Sequence, residues 1–168
     1  TFLHEFTEFL RGSESIRGYD EVHIIVNPVA GGFMRKKVYN GVTKDFRAAR
    51  EEAAAPDEER RSRQEHISLH STHSQGDCAN IVRGILSKKG EEKRLLFITF
   101  GGDGTATEAS SEIYRYIEKG GSADNPVLFR LPMGTGNDGL DADSMSTAFR
   151  ICNSPCETAR IPLLQIDF

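Results

Sequence analysis

Apolar residues along this chain fall into short continuous runs, and the runs alternate with longer stretches of helical spacing. The runs are Val22–Val26, Leu95–Phe100 and Val127–Leu131, and a shorter segment, Ile67-Ser68-Leu69-His70, joins them with polar residues between. Their length and β-branched content predict strands. Leu95-Leu96-Phe97-Ile98-Thr99-Phe100 is almost wholly apolar, as a strand of a parallel sheet covered on both faces should be. Helical spacing predicts a helix over about Phe33–Arg50 and another over about Asp77–Lys88, with Cys78, Ile81, Val82 and Ile85 on its inner face. A third runs from about Thr105 to Lys119, with Ala106, Ala109, Ile113 and Tyr116 or Ile117 facing inward, and Gly120-Gly121 closes it. A last helix covers about Ser144–Cys152, and the apolar run Ile161–Phe168 opens a further strand. Strand and helix alternate throughout, so the fold class is α/β: an open, mostly parallel sheet with right-handed crossovers and helices on both faces.

Two segments stand apart from this alternation. Residues 1–20 read as an N-terminal extension in which Phe2, Leu3, Phe6, Phe9 and Leu10 recur at helical spacing. They predict a short helix that packs on the domain or leads in from an upstream one. Glu5, Glu8 and the scarcity of basic residues weigh against a helix lying on anionic lipid. Glu51–Gln64 is crowded with carboxylates and arginines around Ala53-Ala54-Ala55-Pro56 and reads as a solvated helix end and loop. The α/β domain itself spans 21–160, and 161–168 begin a strand that runs to the end of the chain.

Composition narrows the function. With 168 residues, 38% hydrophobic and 27% charged, the chain has the composition of a soluble globular domain. A net charge of −4 leaves no basic excess to neutralise a phosphate backbone, so no nucleic-acid partner is expected. Cys78, Cys152 and Cys156 are odd in number and fit no zinc spacing, which suits reduced thiols in a cytoplasmic protein. No apolar run approaches the roughly 18 residues of a membrane span.

The candidate chemistry lies in loops that follow strand carboxyl ends, where ligands bind in open α/β sheets. Gly101-Gly102-Asp103-Gly104-Thr105 follows the third strand. Its glycines let backbone N–H groups approach a ligand, and the helix that follows presents its positive end to an anion. Asp103 is discordant there, since a carboxylate repels phosphate unless it meets a cation or a reacting hydroxyl. That is a feature of metal-dependent phosphoryl transfer; a tight turn with Asp103 as a helix cap is the plainer alternative. Gly134-Thr135-Gly136-Asn137-Asp138 follows the fourth strand and exposes Thr135 between two glycines, while Asn137 and Asp138 can cap the next helix. Asn27-Pro28-Val29-Ala30-Gly31-Gly32 follows the first strand, and beside the other loops its Asn27 side chain and the Gly31 backbone become candidate nucleotide contacts. Neither a Walker A loop nor a Gly-x-Gly-x-x-Gly fingerprint occurs.

Taken together, Asn-Pro-x-x-Gly, Gly-Gly-Asp-Gly-Thr and Pro-Met-Gly-Thr-Gly-Asn-Asp in this order resemble the diacylglycerol-kinase catalytic domain, a family that includes bacterial diacylglycerol kinases and the sphingosine and ceramide kinases. The resemblance runs from about Val22 to Phe168. It implies the nucleotide-binding α/β half of a lipid kinase, followed by a β-rich domain beyond 161–168, with ATP and Mg2+ as cofactors and a lipid acceptor such as diacylglycerol or a sphingoid base. Gly101, Gly102, Asp103, Gly104, Thr105, Ala106 and Thr107 would hold the ATP phosphates, and Gly134, Thr135 and Asn137 would add nucleotide contacts. Thr72, in Thr72-His73-Ser74-Gln75-Gly76-Asp77, resembles the family's Thr-x-x-x-Gly-Asp. Glu108 fits the family's acidic position, although Thr107 stands where Asn is usual. Asp103 is the expected catalytic residue and the expected contact to Mg2+. A cytoplasmic protein with peripheral contact to the inner membrane face, and a homodimer, are further implications. Pro162 departs from the family's acidic residue near the hinge.

NAD kinase and phosphofructokinase also carry Gly-Gly-Asp-Gly, and a non-catalytic nucleotide-binding module is a third alternative. His23, His66, His70 and His73 are scattered and are assigned no chemistry; His70 and His73 flank Thr72 and could approach an adenine, with surface histidines the plainer reading.

Overall fold

A computed structural model describes residues 2–53, 66–133, 141–142, 144–154 and 157–160. Four strands, β1 (Glu21–Val26), β2 (His66–Ser71), β3 (Leu95–Gly101) and β4 (Pro126–Pro132), form one sheet in the order β2-β1-β3-β4. All three pairings are parallel, with Glu21 opposite His66 and Leu95, and Leu95 opposite Pro126. Six helices accompany it among the described residues: α1 (Phe2–Arg11), α2 (Gly31–Met34), α3 (Lys36–Glu52), α4 (Asp77–Lys89), α5 (Asp103–Glu118) and α6 (Met145–Cys152). The expected α/β class holds.

β1 and β3 are buried at every position, which explains their near-continuous apolar sequence. Side chains alternate across the sheet. Val22, Ile24 and Val26 join Leu96, Ile98 and Phe100 on one face, under α1, α3 and α6. Ile25, Leu95 and Phe97 occupy the other, under α4 and α5.

The N-terminal helix is part of this core. Phe2, Phe6 and Leu10 of α1 are buried in the same cluster as the sheet residues. The Phe6 ring lies 5.0 Å from that of Phe100, 6.0 Å from Phe46 and 5.8 Å from Phe149. Its apolar face is occupied inside the protein, which removes the membrane-surface alternative for this helix.

Two helix boundaries differ from expectation. The single helix expected over Phe33–Arg50 is two, because Arg35 is extended (φ −94°, ψ 104°) between α2 and α3. Gly32 N–H donates to the Met133 carbonyl at 2.8 Å, which pins the short α2 to the residue that follows β4. The helix expected from Thr105 begins at Asp103, since Gly102 already adopts the extended backbone of a cap and its carbonyl accepts from Ala106 N at 3.2 Å. The expected terminal strand, 161–168, lies outside the described residues.

His73 is exposed, in keeping with the surface reading, whereas His70 is half-buried and faces a buried histidine on the neighbouring strand. His23 is buried in β1 and stacks on Phe97 at 5.6 Å. Its Nδ1 lies 3.2 Å from His70 Nε2 on the neighbouring strand. Its Nε2 is 3.2 Å from Glu21 Oε2, but without hydrogen-bonding geometry, so that nitrogen is buried and unsatisfied. Glu21, itself buried, accepts from Lys89 at 2.6 Å and Lys93 at 2.5 Å. Burial pushes the Glu21 carboxyl up, yet the two ammonium groups outweigh it and hold it down at about 2. Burial and the neighbouring His70 hold His23 down at about 4.

Candidate nucleotide site

The strand order places the site. From β1 the chain winds outward to β2, then returns across β1 to β3, so the winding reverses between β1 and β3. At such a reversal the loops leave in opposite directions and open a crevice at the strand carboxyl ends. Asn27 follows β1 there, and Gly102-Asp103-Gly104 follows β3.

Hydrogen bonds lace these strand ends together. Asn27 N donates to the Phe100 carbonyl at 2.8 Å, and Asn27 Nδ2 lies 3.3 Å from Thr105 Oγ1. Asn27 Oδ1 accepts from Val29 N at 3.1 Å, which fixes the turn after β1. Thr72, just past β2 and buried, donates its N–H to the Val26 carbonyl at 2.9 Å, and its hydroxyl points to the same oxygen at 3.5 Å. Met133 N donates to the Gly101 carbonyl at 3.0 Å, while its own carbonyl receives Gly32 N. The ends of all four strands therefore meet. Gly134, Thr135 and Asn137 lie outside the described residues, but Met133, which precedes them, is anchored in this cluster.

The glycine loop has two distinct requirements. A Cβ at Gly101 would come within 2.5 Å of Thr105 Oγ1, so the strand can meet the first turn of α5 only without a side chain. At Gly104 a Cβ would meet nothing within 4 Å; the protein leaves that space open. Gly102 caps α5 without a side-chain bond. The N–H groups of Asp103, Gly104 and Thr105 precede the first helical hydrogen bond and, with the helix dipole, suit an anion. The open space and the donor set fit a phosphate group. Asp103 is exposed at this same turn, and its carboxylate has no partner among the described residues.

Other expected site residues take different roles. Ala106 is buried with its N–H bonded to Gly102, so it packs and offers the crevice no donor. Thr105 is buried too, with its hydroxyl turned toward Asn27. Thr107 is exposed one position further along the helix. Gly31 opens α2, and its carbonyl accepts from Arg35 N at 3.1 Å. Glu108 faces α4: its two oxygens accept Gly76 N at 2.9 Å and Ala79 N at 3.3 Å, so it caps that helix from outside. Asp77 closes the loop between Thr72 and α4 by accepting His73 N at 2.8 Å and Ser74 N at 2.9 Å, and these bonds hold its carboxyl below the usual range.

Two contributors were not singled out by sequence. Cys78 places its thiol 3.5 Å from the Thr105 carbonyl, behind the glycine loop, where burial and then Glu108 push it up to about 12. Met133 joins the loops through its backbone bonds to Gly101 and Gly32, while its side chain is buried in the core. Among the described residues, no group of three or more His, Cys, Asp or Glu side chains is placed to hold a metal ion. Asp103, exposed at the glycine loop, is a carboxylate that a cation carried in by phosphate oxygens would meet.

A concavity of about 840 Å³ runs along the open edge of β4, lined by Phe129, Arg130, Ile151 and Arg160 among others. None of the loop residues above lines it.

Residues 21–158 match the model of the diacylglycerol kinase catalytic domain. The chain belongs to that family. No curated protein matches it in sequence. Two solved structures from Bacillus anthracis str. Sterne, each described as "a putative diacylglycerol kinase", resemble it at 24% identity over 79% of this chain, with TM-scores of 0.50 and 0.49. The likeness to the first supports the fold. The chain spans about two fifths of the length of these structures, 38% and 40%. The family match covers the loops after all four strands, so the matched segment and the clustered strand ends coincide. Among the described residues, no helix is long and apolar enough to cross a membrane.

Proposed function

We propose that this diacylglycerol kinase family domain binds ATP at the crevice between β1 and β3, within a kinase that moves the γ-phosphoryl group to a lipid hydroxyl. The observation that carries the reading is the contact between Asn27 and Thr105, which joins two family loops beside the uncapped start of α5. The N–H groups of Asp103, Gly104 and Thr105 would bind phosphate oxygens, and the space at Gly104 would admit them. Asn27 and Thr72 would set the neighbouring walls, with Thr135 and Asn137 from the fourth loop. Glu108 would act as a positioning residue, since it braces the start of α4 beside the loop. Mg2+ would arrive with the nucleotide and spread the charge of the transferring group. Asp103, without a side-chain partner among the described residues, would be the catalytic residue that orients the phosphates and that cation. The acceptor would be diacylglycerol or a sphingoid base, bound with the help of a further β-rich domain. The protein would then work in the cytoplasm against a membrane face.

The reading is tested by titrating Mg-ATP into the chain and into Gly104→Val and Asp103→Asn. Gly104→Val should abolish binding by filling the open space, with the fold retained. Asp103→Asn should bind Mg-ATP at least roughly tenfold more weakly than wild type when Mg2+ is present, and equally when it is chelated. Wild-type heats no larger than those of dilution would overturn the proposal.

A further inference from the structure

We infer that Arg130 and Asp141 are positioning residues for the nucleotide: they form a clasp that fixes where the chain returns to β4 after leaving it beside the glycine loop. The Asp141 carboxylate takes three bonds from this one residue. Its Oδ2 accepts from Arg130 N at 2.7 Å and from Arg130 Nε at 3.2 Å, and its Oδ1 accepts from Arg130 Nη2 at 2.6 Å. Both side chains are largely buried, each 21% exposed. A two-pronged grip of this kind fixes orientation as well as distance.

The place of the clasp in the sheet gives it a role. β4 is the outermost strand on its side, and Arg130 spends its N–H on Asp141 and not on a neighbouring strand. Three residues further on, Met133 N donates to the Gly101 carbonyl, and the Met133 carbonyl accepts from Gly32 N. Gly101 lies opposite Pro132 in the register of β3 and β4, and Gly102 and Asp103 follow it directly. The connection from Met133 to Asp141, to which Gly134, Thr135 and Asn137 belong, therefore starts at the strand end that bears the glycine loop. Asp141 brings the chain back to the same strand. Behind it Ala142 is buried, and Ser144 caps α6 by accepting from Thr147 N at 3.1 Å. The connection is held at both ends, by backbone bonds on one side and by an ion pair on the other.

Stability alone is a poor reason for the pair. A buried ion pair loses in desolvation much of what it gains in attraction, and α6 already has its cap and its buried Met145, Ala148 and Phe149. Geometry is the better reason. A loop whose two ends are fixed loses less freedom when a ligand orders it, and the ligand binds more tightly by the difference. The inference rests on the nucleotide reading and adds to it two residues that act through the fourth loop.

The test is calorimetric titration of Mg-ATP into wild type, Arg130→Gln, Asp141→Ala and the double variant, beside hydrogen exchange of each. Each single variant should bind roughly tenfold more weakly, the cost of ordering one or two more groups at binding. The double variant should bind no more weakly than the worse single one, because the two residues act as a unit. Asp141→Glu, which keeps the charge, should recover part of the loss. Exchange at the Arg130 amide should quicken in Asp141→Ala, while β1 and β3 stay as protected as in wild type. Wild-type affinity in both single variants overturns the inference, and so does a fully additive loss in the double variant. Weaker binding together with lost protection across β1 and β3 would make the pair a support of the fold, with the same consequence. A wild type that binds no Mg-ATP would sink the nucleotide reading and this inference with it, whereas a wild type that binds and variants that match it would sink the inference alone.

Discussion

Lowering the pH from 7.5 to 5 should destabilise this domain through His23. The ring is buried against Phe97 and His70, and it is held neutral down to about pH 4. An unfolded chain presents the same imidazole to water, where it protonates near 6.5. Between those values the unfolded state binds a proton that the folded state refuses, so acid favours unfolding. The sign is fixed by the depression: the native state suffers no penalty above about 6.5, and the loss accumulates as pH falls toward 4. Its full size is about 3 kcal/mol, of which roughly 2 kcal/mol has appeared by pH 5. His70 is also lowered by burial and adds in the same direction. Glu21 contributes little in this window, since its stabilisation is lost only below about 4.5, as pH falls toward 2. Urea unfolding followed by circular dichroism at half-unit intervals measures the slope. His23→Gln, which cannot take up a proton, should flatten most of it. A stability that is constant or rising between pH 7.5 and 5, or an unchanged slope in His23→Gln, would refute the assignment.

Two further outcomes follow from packing. Phe6→Ala removes a fully buried ring that touches Phe46, Phe100 and Phe149, and should cost about 3–5 kcal/mol in urea unfolding. A loss below roughly 1 kcal/mol would mean that α1 lies outside the core. Glu108→Ala strips the acceptors from Gly76 N and Ala79 N and should cost about 1–2 kcal/mol. Hydrogen exchange should localise that change to 72–80, while Glu108→Gln, which keeps one acceptor, should recover part of it.

The alternation of strands and helices was legible because each buried strand is a continuous run and each helix keeps an apolar stripe. The glycine loop was legible for a similar reason: the close approach of Gly101 to Thr105 demands glycine. What sequence could not show depends on partners far along the chain. His23 sits in an apolar run, yet its fate is decided by its burial, by His70 on the adjacent strand and by Glu21 and Lys89 beside it. Glu108 lies inside a phosphate-loop pattern, yet its carboxylate is claimed by the start of another helix. The break at Arg35 has no proline or glycine at the residue itself to announce it, and the nearby bond between Gly32 and Met133 joins residues far apart in the chain.

Similarity to the family begins at Glu21, but the folding unit begins earlier. Phe2, Phe6 and Leu10 are the lid over an aromatic floor of Phe46, Phe100 and Phe149. A protein trimmed to the matched segment would uncover that floor and trade a sealed interior for a greasy exterior. Recombinant work on this domain should therefore take its start from the buried rings of the first helix, and not from the edge of the recognisable motif set.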